Sequence, residues 1–405
     1  MVDVVQENVH NTENVNLNKK LRIYNKISEV GLNLLSEEKY TYGPEISEPE
    51  AILLRSHKLK KEEIPSCVSA IGRAGAGVNN IPVEWATNEG IVVFNTPGAN
   101  ANAVKELVLS AMLLSCRNIN KALRFVDTLD EKDNISELVE KQKKAFKGYE
   151  LKGKCLGVVG LGAIGMMVAN AAVSMGMTVY GYDPFLTVDR AWGLSQDVKP
   201  ALGLESMMRE ADFVSVHIPY SEKTAGFISE ERIGYLKKGA VLLNFARDGV
   251  IDENALLKRL EQEEVRYVTD FPTSSVIHKK GVVVYPHLGA STSEAEETCA
   301  VMVVNQIKSY LESGQIVNSV NFPVCKMPLK SGLSRLSIIN KNVPDVIRQI
   351  TSVLADQKIN IDEMVNKSKA SIAYSLIDFK GNLVESQLDA LRQLDSVIAV
   401  RQINQ

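Results

Sequence analysis

Lys154-Cys-Leu-Gly-Val-Val-Gly160-Leu-Gly162-Ala-Ile-Gly165 opens a stretch that runs on to Tyr180-Gly-Tyr-Asp183. Leu156 to Val159 is a short apolar run and reads as a buried parallel strand. Gly160-x-Gly162-x-x-Gly165 follows at once, an apolar run of mostly Ala, Met and Val predicts a helix to Gly176, and Thr178 to Tyr182 predicts the next strand, with Asp183 at its tip. Each glycine has a mechanical reason. Gly160 allows the tight turn, Gly162 lets a pyrophosphate approach the backbone, and Gly165 lets the helix close against the strand. The helix N-terminus offers free N–H groups and a partial positive charge. A carboxylate at Asp183 accepts both ribose hydroxyls and repels a 2′-phosphate, so the stretch reads as an NAD site rather than an NADP site.

At 405 residues the chain is too long for one ordinary core, and two or three domains are expected. Its 45% apolar and 23% charged residues are those of a globular protein, and a net charge of −3 gives no footing for nucleic acid. No apolar run reaches the roughly 18 residues of a membrane span. Met1 to Lys20 lacks an apolar signal core and is expected to be a loose extension. The five cysteines, at 67, 116, 155, 299 and 325, form no C-x-x-C pair and three sit in apolar runs, so buried free thiols are expected, with no disulfide or metal site, in a reducing cytoplasm.

Short strands are expected at Leu21–Tyr24, Lys39–Tyr42, Ala51–Arg55, Cys67–Ile71 and Ile91–Asn95, with a helical piece around Leu32 to Glu37. The loop Gly72-Arg73-Ala-Gly75-Ala-Gly77 lacks the dinucleotide spacing, so it is not a second nucleotide site. Asn102 to Asn120 predicts a long helix, and Glu131 to Lys147 a solvated one. Beyond the fingerprint, strands are expected to end at His217-Ile-Pro219, at Ala246-Arg247-Asp248-Gly249, at Asp270 and at Pro286-His287. Polar residues at one end of successive parallel strands mark the edge where ligands bind. Ser291 to Gly314 predicts a helix and Ile316 to Val320 a strand. Pro323 to Gly332 is a linker, after which strand, helix, two strands, helix and strand predict a ferredoxin-like βαββαβ domain.

Chemistry beside a nicotinamide needs a base for the hydroxyl proton and a grip on the substrate. His287, in Pro-His-Leu-Gly289-Ala-Ser, is the base; Arg247 can hold a carboxylate bidentately. His217 is assigned to the cofactor side. Arg55 and Arg73, at the tips of N-terminal strands, are placed to hold a second anionic group, which suits a phosphorylated hydroxy acid.

With these residues in view, the sequence resembles the D-isomer-specific 2-hydroxyacid dehydrogenases, in particular the branch that acts on D-3-phosphoglycerate and carries an ACT regulatory domain. The motifs are Leu54-Arg-Ser-His-Lys58, Gly72-Arg-Ala-Gly-Ala-Gly-Val-Asn79, Asn95-Thr-Pro-Gly-Ala-Asn100, the fingerprint through Tyr182-Asp-Pro184, Asn244-Phe-Ala-Arg-Asp-Gly249 and Pro286-His-Leu-Gly-Ala-Ser-Thr292. The resemblance implies an α/β fold: a Rossmann NAD domain (111–289) inserted in a flavodoxin-like substrate domain (21–110 and 290–322), then a linker (323–332) and an ACT domain (333–405). It implies oxidation of D-3-phosphoglycerate to 3-phosphohydroxypyruvate, the first step of L-serine biosynthesis, with Arg247 as carboxylate anchor and His287 as acid/base. Ala163, Ile164, Pro219, Thr224, Ala246, Asp270 and Gly289 would line the cofactor beside Gly160, Gly162, Gly165, Asp183 and His217. Ser56, Gly75, Ala76 and Asn100 would join Arg55 and Arg73 at the substrate. Asn340, Asn342 and Asn360 match effector contacts for L-serine, and a homo-oligomer, dimer or tetramer, is implied.

Two departures stand out. The family places a glutamate a few residues after Asp270 to orient the histidine, whereas here Asp270-Phe-Pro-Thr-Ser-Ser-Val-Ile-His278 holds no further acid. His287 is therefore expected to act alone or with a carboxylate recruited from elsewhere, such as Asp270 or Glu294. Serine-inhibited relatives also carry His and Gly where this chain has Asn340 and Asp345. The alternatives are another D-2-hydroxyacid dehydrogenase, of hydroxypyruvate, glycerate or lactate type, and a non-catalytic NAD-sensing interaction protein.

Overall fold

The computed structural model describes residues 18–130 and 134–403. The chain divides into two units, one of residues 1–96 and 297–405, the other of 97–296. The boundary falls before the helix Ala101–Arg117 rather than at 110, so that helix lies whole in the second unit.

The first unit begins with five parallel strands: β1 (Lys19–Tyr24), β2 (Tyr40–Gly43), β3 (Ala51–Leu54), β4 (Ala70–Arg73) and β5 (Val92–Phe94), in the order β2-β1-β3-β4-β5. This is flavodoxin-like order. The strands are short and apolar because both faces are covered; all of β3 is buried. From Glu297 onward the helix Ser293–Ser313 packs on this sheet. A Cβ on Gly72 would meet the Val303 side chain at 2.6 Å, so the glycine is what lets that helix approach.

The second unit holds seven parallel strands: β6 (Cys155–Val159), β7 (Thr178–Tyr182), β8 (Val198–Pro200), β9 (Phe213–Val216), β10 (Ala240–Asn244), β11 (Val265–Thr269) and β12 (Val282–Val284). They run β12-β11-β10-β9-β6-β7-β8. Strand order reverses between β6 and β9, and the crevice outside the carboxyl ends at such a switch point is where an open α/β sheet takes a ligand. Gly160 stands at the end of β6, on that crevice.

The C-terminal strands β13 (Ser334–Lys341), β14 (Ile361–Lys369), β15 (Ile372–Phe379) and β16 (Val397–Ile403) form an antiparallel sheet in the order β14-β15-β13-β16. With the helices Val346–Asp356 and Glu385–Arg392 this is the expected βαββαβ domain. Leu336, Ile338, Ile377 and Phe379 pack beneath the helices. Such a sheet ordinarily leaves its other face wet. Here Arg335, Ser337, Ile339, Leu376 and Asp378 are buried as well. The Tyr374 hydroxyl donates to the Gly314 carbonyl at 2.6 Å, and a Cβ on Gly314 would meet Ile403 and Leu376 at 2.9 Å. The small domain is thus seated on the C-terminal end of the Ser293–Ser313 helix, and the linker is packed too, with Cys325 and Met327 buried.

Several expected elements change. Ile316 to Val320 forms only isolated bridges, Ile316 to Cys325 and Ser319 to Phe94. The helix expected to reach Asn120 stops at Arg117, because Asn118 turns left-handed (φ 52°) and a new helix starts at Ile119. The helix expected over 131–147 spans Ile135–Gln142 and tightens into a 3₁₀ turn, with 131–133 outside the described residues. β8 and the helix Leu204–Glu210 carried too few apolar positions to be anticipated. The N-terminal extension lies outside the described residues up to 17. Among the described residues no helix is long and apolar enough to cross a membrane, and no group of three His, Cys, Asp or Glu is placed to hold a metal ion.

Candidate active site

Within the second unit, the fingerprint has the predicted form. Gly160 is left-handed (φ 91°), and a Cβ on Gly165 would collide with the Gly160 carbonyl, so only glycine lets the helix Ala163–Ser174 begin there. Around Gly162 there is open space, which is where a pyrophosphate would reach the backbone. Ala163 and Ile164 open the helix. Asp183 accepts N–H bonds from Leu161 and Phe185, each at 2.9 Å, one on each carboxylate oxygen. Those bonds fix the carboxylate at the loop and leave each oxygen acceptor capacity for a ribose hydroxyl.

His217 ends the neighbouring strand path. Its Nε2 lies 2.8 Å from the Ser215 hydroxyl, burial pushes its pKa down to about 4, and its buried Nδ1 has no partner among the described residues. A neutral imidazole with an open ring nitrogen suits the expected cofactor-side role. Thr224 is committed differently: its hydroxyl donates to the Pro219 carbonyl at 2.6 Å and accepts from the Ser221 N–H at 2.7 Å. Pro219 and Thr224 therefore shape the loop through backbone bonds.

At the tip of β10, Asn244 pins the arginine turn. Its Oδ1 accepts the Ala246 N–H at 3.1 Å and its Nδ2 donates to the Arg247 carbonyl at 2.9 Å. Asn244 has no role expected from the sequence; its amide is buried beside Arg247, and a buried amide must be hydrogen-bonded. The Arg247 guanidinium donates to the Ala246 carbonyl at 2.7 Å.

Asp270 follows β11 and is 1% exposed. Its Oδ2 accepts the Gly289 N–H at 3.1 Å, while its Oδ1 is buried with no partner among the described residues. Burial raises its pKa, and this outweighs the opposing pull of the Gly289 N–H and of the positive groups at His287 and Arg247. His287 donates its backbone N–H to the Asp270 and Tyr285 carbonyls, both at 3.0 Å, and adopts φ 51°. That conformation is uncommon for a side-chain-bearing residue, although histidine adopts it more readily than most. Its ring is exposed and faces Phe271, centroids 4.9 Å apart. So Arg247, Asp270, His287 and Gly289 meet on one sheet edge. Glu294, the other suggested acid, lies exposed in the first turn of the Ser293–Ser313 helix.

These features fit a dinucleotide: an open approach at Gly162, a ribose acceptor at Asp183, and an orphaned acceptor at Asp270 Oδ1 for an amide N–H.

In the first unit, Leu54 pairs in register with Arg73, so the two arginines stand on adjacent strand tips. The Arg73 Nε donates to the Arg55 carbonyl at 3.1 Å, and its guanidinium occupies the space a Cβ on Gly75 would need. Ala76 is held by Asn95, whose Nδ2 donates to its carbonyl at 2.6 Å. Ser56 is exposed on the same loop as Arg55. Asn100, expected among these, belongs to the second unit as the residue before the helix Ala101–Arg117.

A family model described as "D-isomer specific 2-hydroxyacid dehydrogenase, NAD binding domain" matches residues 109–289. The D-3-phosphoglycerate dehydrogenase of Haemophilus influenzae is 30% identical over 344 residues, which cover 82% of this chain and 80% of that enzyme. The chain belongs to the D-isomer-specific 2-hydroxyacid dehydrogenase family. The enzyme of the same name from Methanocaldococcus jannaschii is 33% identical over 83% of this chain; the one from Synechocystis is 36% identical over 75%. The chain spans only 63% and 56% of those two enzymes. Among solved structures, the NAD⁺-bound 3-phosphoglycerate dehydrogenase of Entamoeba histolytica aligns with TM-score 0.60 and 28% identity, over 75% of this chain and 99% of its own. The D-mandelate dehydrogenase of Rhodotorula graminis, 21% identical with TM-score 0.64, shares the fold.

As in the family, NAD is the cofactor, and Asp183 should set its selection. Asp183→Ala is expected to weaken NADH binding about ten- to a hundredfold, the worth of losing hydrogen bonds to a charged acceptor, and to narrow the preference over NADPH. Fluorescence titration with both nucleotides checks this; an unchanged preference would remove Asp183 from the ribose site.

The three expected effector residues are not brought together within one chain. Asn342 follows the end of β13 that pairs with Ile372, while Asn360 precedes the end of β14 that pairs with Phe379, at the opposite end of the sheet. Asn340 is 2% exposed, with Oδ1 buried and without a partner among the described residues. Asp345 is left-handed (φ 72°), and its bonds to Arg348 hold its carboxyl down at about 2. Its negative charge therefore stays at the start of the helix Val346–Asp356.

Proposed function

We propose that the chain oxidises D-3-phosphoglycerate to 3-phosphohydroxypyruvate. The observation that carries this reading is the convergence of Arg247, Asp270 and His287 on the sheet edge that also bears the fingerprint. NAD, when bound, supplies the hydride acceptor. Arg247 holds the substrate carboxylate and draws electron density toward it. An imidazole nitrogen of His287 takes the hydroxyl proton as the substrate carbon becomes a ketone, and returns it in the reverse direction. Asp270 supplies the negative charge that favours the resulting imidazolium, the duty the family gives to the glutamate missing here. Asp270→Asn, which keeps the side chain's size and removes its charge, is expected to lower the oxidation kcat roughly tenfold or more. An unchanged kcat would leave His287 without this carboxylate.

Arg55 and Arg73 are proposed to bind the phosphate. What supports them is their pairing on adjacent strand tips and the bond that fixes one to the other's backbone. Ranking kcat/KM for D-3-phosphoglycerate, D-glycerate and D-lactate tests the substrate assignment. A preference for an unphosphorylated acid would transfer the chain to another branch of the family.

We propose further that the chain is a cytoplasmic homo-oligomer. Five free cysteines suit a reducing compartment. Leu123 (58% exposed) and Val126 (55%) line a cleft beside Phe146, and Ile135 lies exposed in the next helix. Such a patch on a soluble chain marks an interface. Leu123→Glu with Val126→Glu is expected to shift the protein to monomer in sedimentation; an unchanged mass would place the interface elsewhere. L-serine remains the effector to test, supported by the buried, unpartnered Oδ1 of Asn340 and opposed by Asp345. Calorimetry showing neither heat nor inhibition would remove it.

A further inference from the structure

The loop from Arg55 to Lys58 is held by a network centred on His57. The His57 imidazole lies flat on the Tyr24 ring, centroids 4.3 Å apart and planes 5° from parallel. Its Nε2 is 2.9 Å from Glu63 Oε1, and the two side chains are 29% and 30% exposed. The His57 backbone is tied at both ends: its N–H donates to Asn25 Oδ1 at 2.5 Å, and its carbonyl accepts from Asn80 Nδ2 at 2.7 Å. The same Asn80 amide reaches the Arg55 carbonyl at 3.2 Å, the atom that also accepts from Arg73 Nε.

The partners of His57 are themselves fixed. Arg22 donates to the Tyr24 hydroxyl at 3.3 Å and to the Glu63 carbonyl at 3.2 Å. The second carboxylate oxygen of Glu63 accepts the Lys60 N–H at 2.8 Å. This bond, more than the neighbouring His57, holds the Glu63 carboxyl below its usual range. A solvated surface histidine would be mobile; this one is stacked on one face, bonded at its ring edge and pinned through its backbone. A loop carrying long, charged side chains loses affinity when its backbone wanders, since ligand geometry must be held to a fraction of an ångström.

We propose that His57 is a positioning residue for phosphate recognition: stacked on Tyr24 and bonded to Glu63, it fixes the Arg55 backbone that Arg73 also holds, and so selects a phosphorylated substrate. The inference rests on Arg55 and Arg73 as the phosphate ligands. It assigns His57 no part in proton transfer. Its loss acts on KM for the phosphorylated substrate and not on turnover.

The test compares 3-phosphohydroxypyruvate with hydroxypyruvate, both assayed by NADH oxidation, in Arg55→Ala, His57→Ala, His57→Gln and Glu63→Gln. His57→Ala is expected to raise KM for the phosphorylated substrate about tenfold or more, with kcat and both constants for hydroxypyruvate within about twofold. His57→Gln, which keeps a donor for Glu63 but loses the stacked ring, should fall between His57→Ala and the parent chain. If Arg55→Ala discriminates between the substrates and His57→Ala does not, the positioning role is wrong and the phosphate reading stands. If Arg55→Ala does not discriminate either, the phosphate reading has failed and the proposal falls with it. Equal losses on both substrates, or a fall in kcat alone, would also overturn it, because a general structural defect spares neither.

Discussion

His287→Gln is expected to lower kcat for D-3-phosphoglycerate oxidation by about a thousandfold, within the usual span of a lost general base, and to leave NADH affinity within about twofold. Glutamine approximates the size of the imidazole and preserves a polar tip, but it cannot accept a proton near neutral pH. The left-handed backbone at His287 (φ 51°) and its N–H bonds to Asp270 and Tyr285 do not depend on the ring, so the loop should persist. Turnover surviving at the parent rate would show that another group takes the proton. Because Asp270 alone supplies the nearby carboxylate in this account, the double variant with Asp270→Asn should be scarcely slower than His287→Gln alone; the two act as one unit.

Breaking the Arg335–Asp378 pair is expected to cost about 3–5 kcal/mol of stability. Both side chains are fully buried and face each other across β13 and β15 in register. Arg335 Nε and Nη2 reach the two carboxylate oxygens at 2.6 and 2.8 Å. Its remaining donors go to the Ser313 carbonyl at 2.9 Å, the Met327 carbonyl at 2.6 Å and the Pro328 carbonyl at 3.1 Å. All five guanidinium N–H groups are therefore used, and they join the small domain, the linker and the end of the Ser293–Ser313 helix. Arg335→Met leaves a buried carboxylate without a counter-charge. Arg335→Met with Asp378→Leu removes that charge and should recover part of the loss. Recovery stays incomplete because three carbonyls lose their donor. Guanidinium-chloride midpoints for the three proteins measure this, and a single variant as stable as the parent would show the pair to be dispensable. Separate unfolding of the small domain in Arg335→Met would show directly that this pair seats it.

The Rossmann unit was legible because its signal is local. Gly160, Gly162 and Gly165 are forced by a left-handed turn, an open approach and a helix collision, and Asp183 comes at a fixed place in the next strand. The placement of Arg247 and His287 at the sheet edge was legible because each follows an apolar strand. What escaped was whatever depends on a distant partner. Nothing in Asn244 or His57 alone reveals that one pins the arginine turn and the other rests on Tyr24. Ile316 to Val320 has the composition of a strand but finds only bridge partners. Asn342 and Asn360 looked like one site in sequence because antiparallel register, which puts them at opposite ends of a sheet, is not written in either residue. The second face of the small sheet is buried for the same reason: Arg335 reads as a surface charge until Asp378 and three carbonyls are placed around it.

The measurement that bears most directly on the central claim is NADH oxidation by the purified chain with 3-phosphohydroxypyruvate, run beside hydroxypyruvate and pyruvate. Turnover with the phosphorylated keto acid is expected at a kcat/KM at least about tenfold above the other two, the worth of one well-placed charged contact. Equal rates on all three would contradict the phosphate role of Arg55 and Arg73, and no turnover on any, with NADH still bound, would contradict catalysis itself.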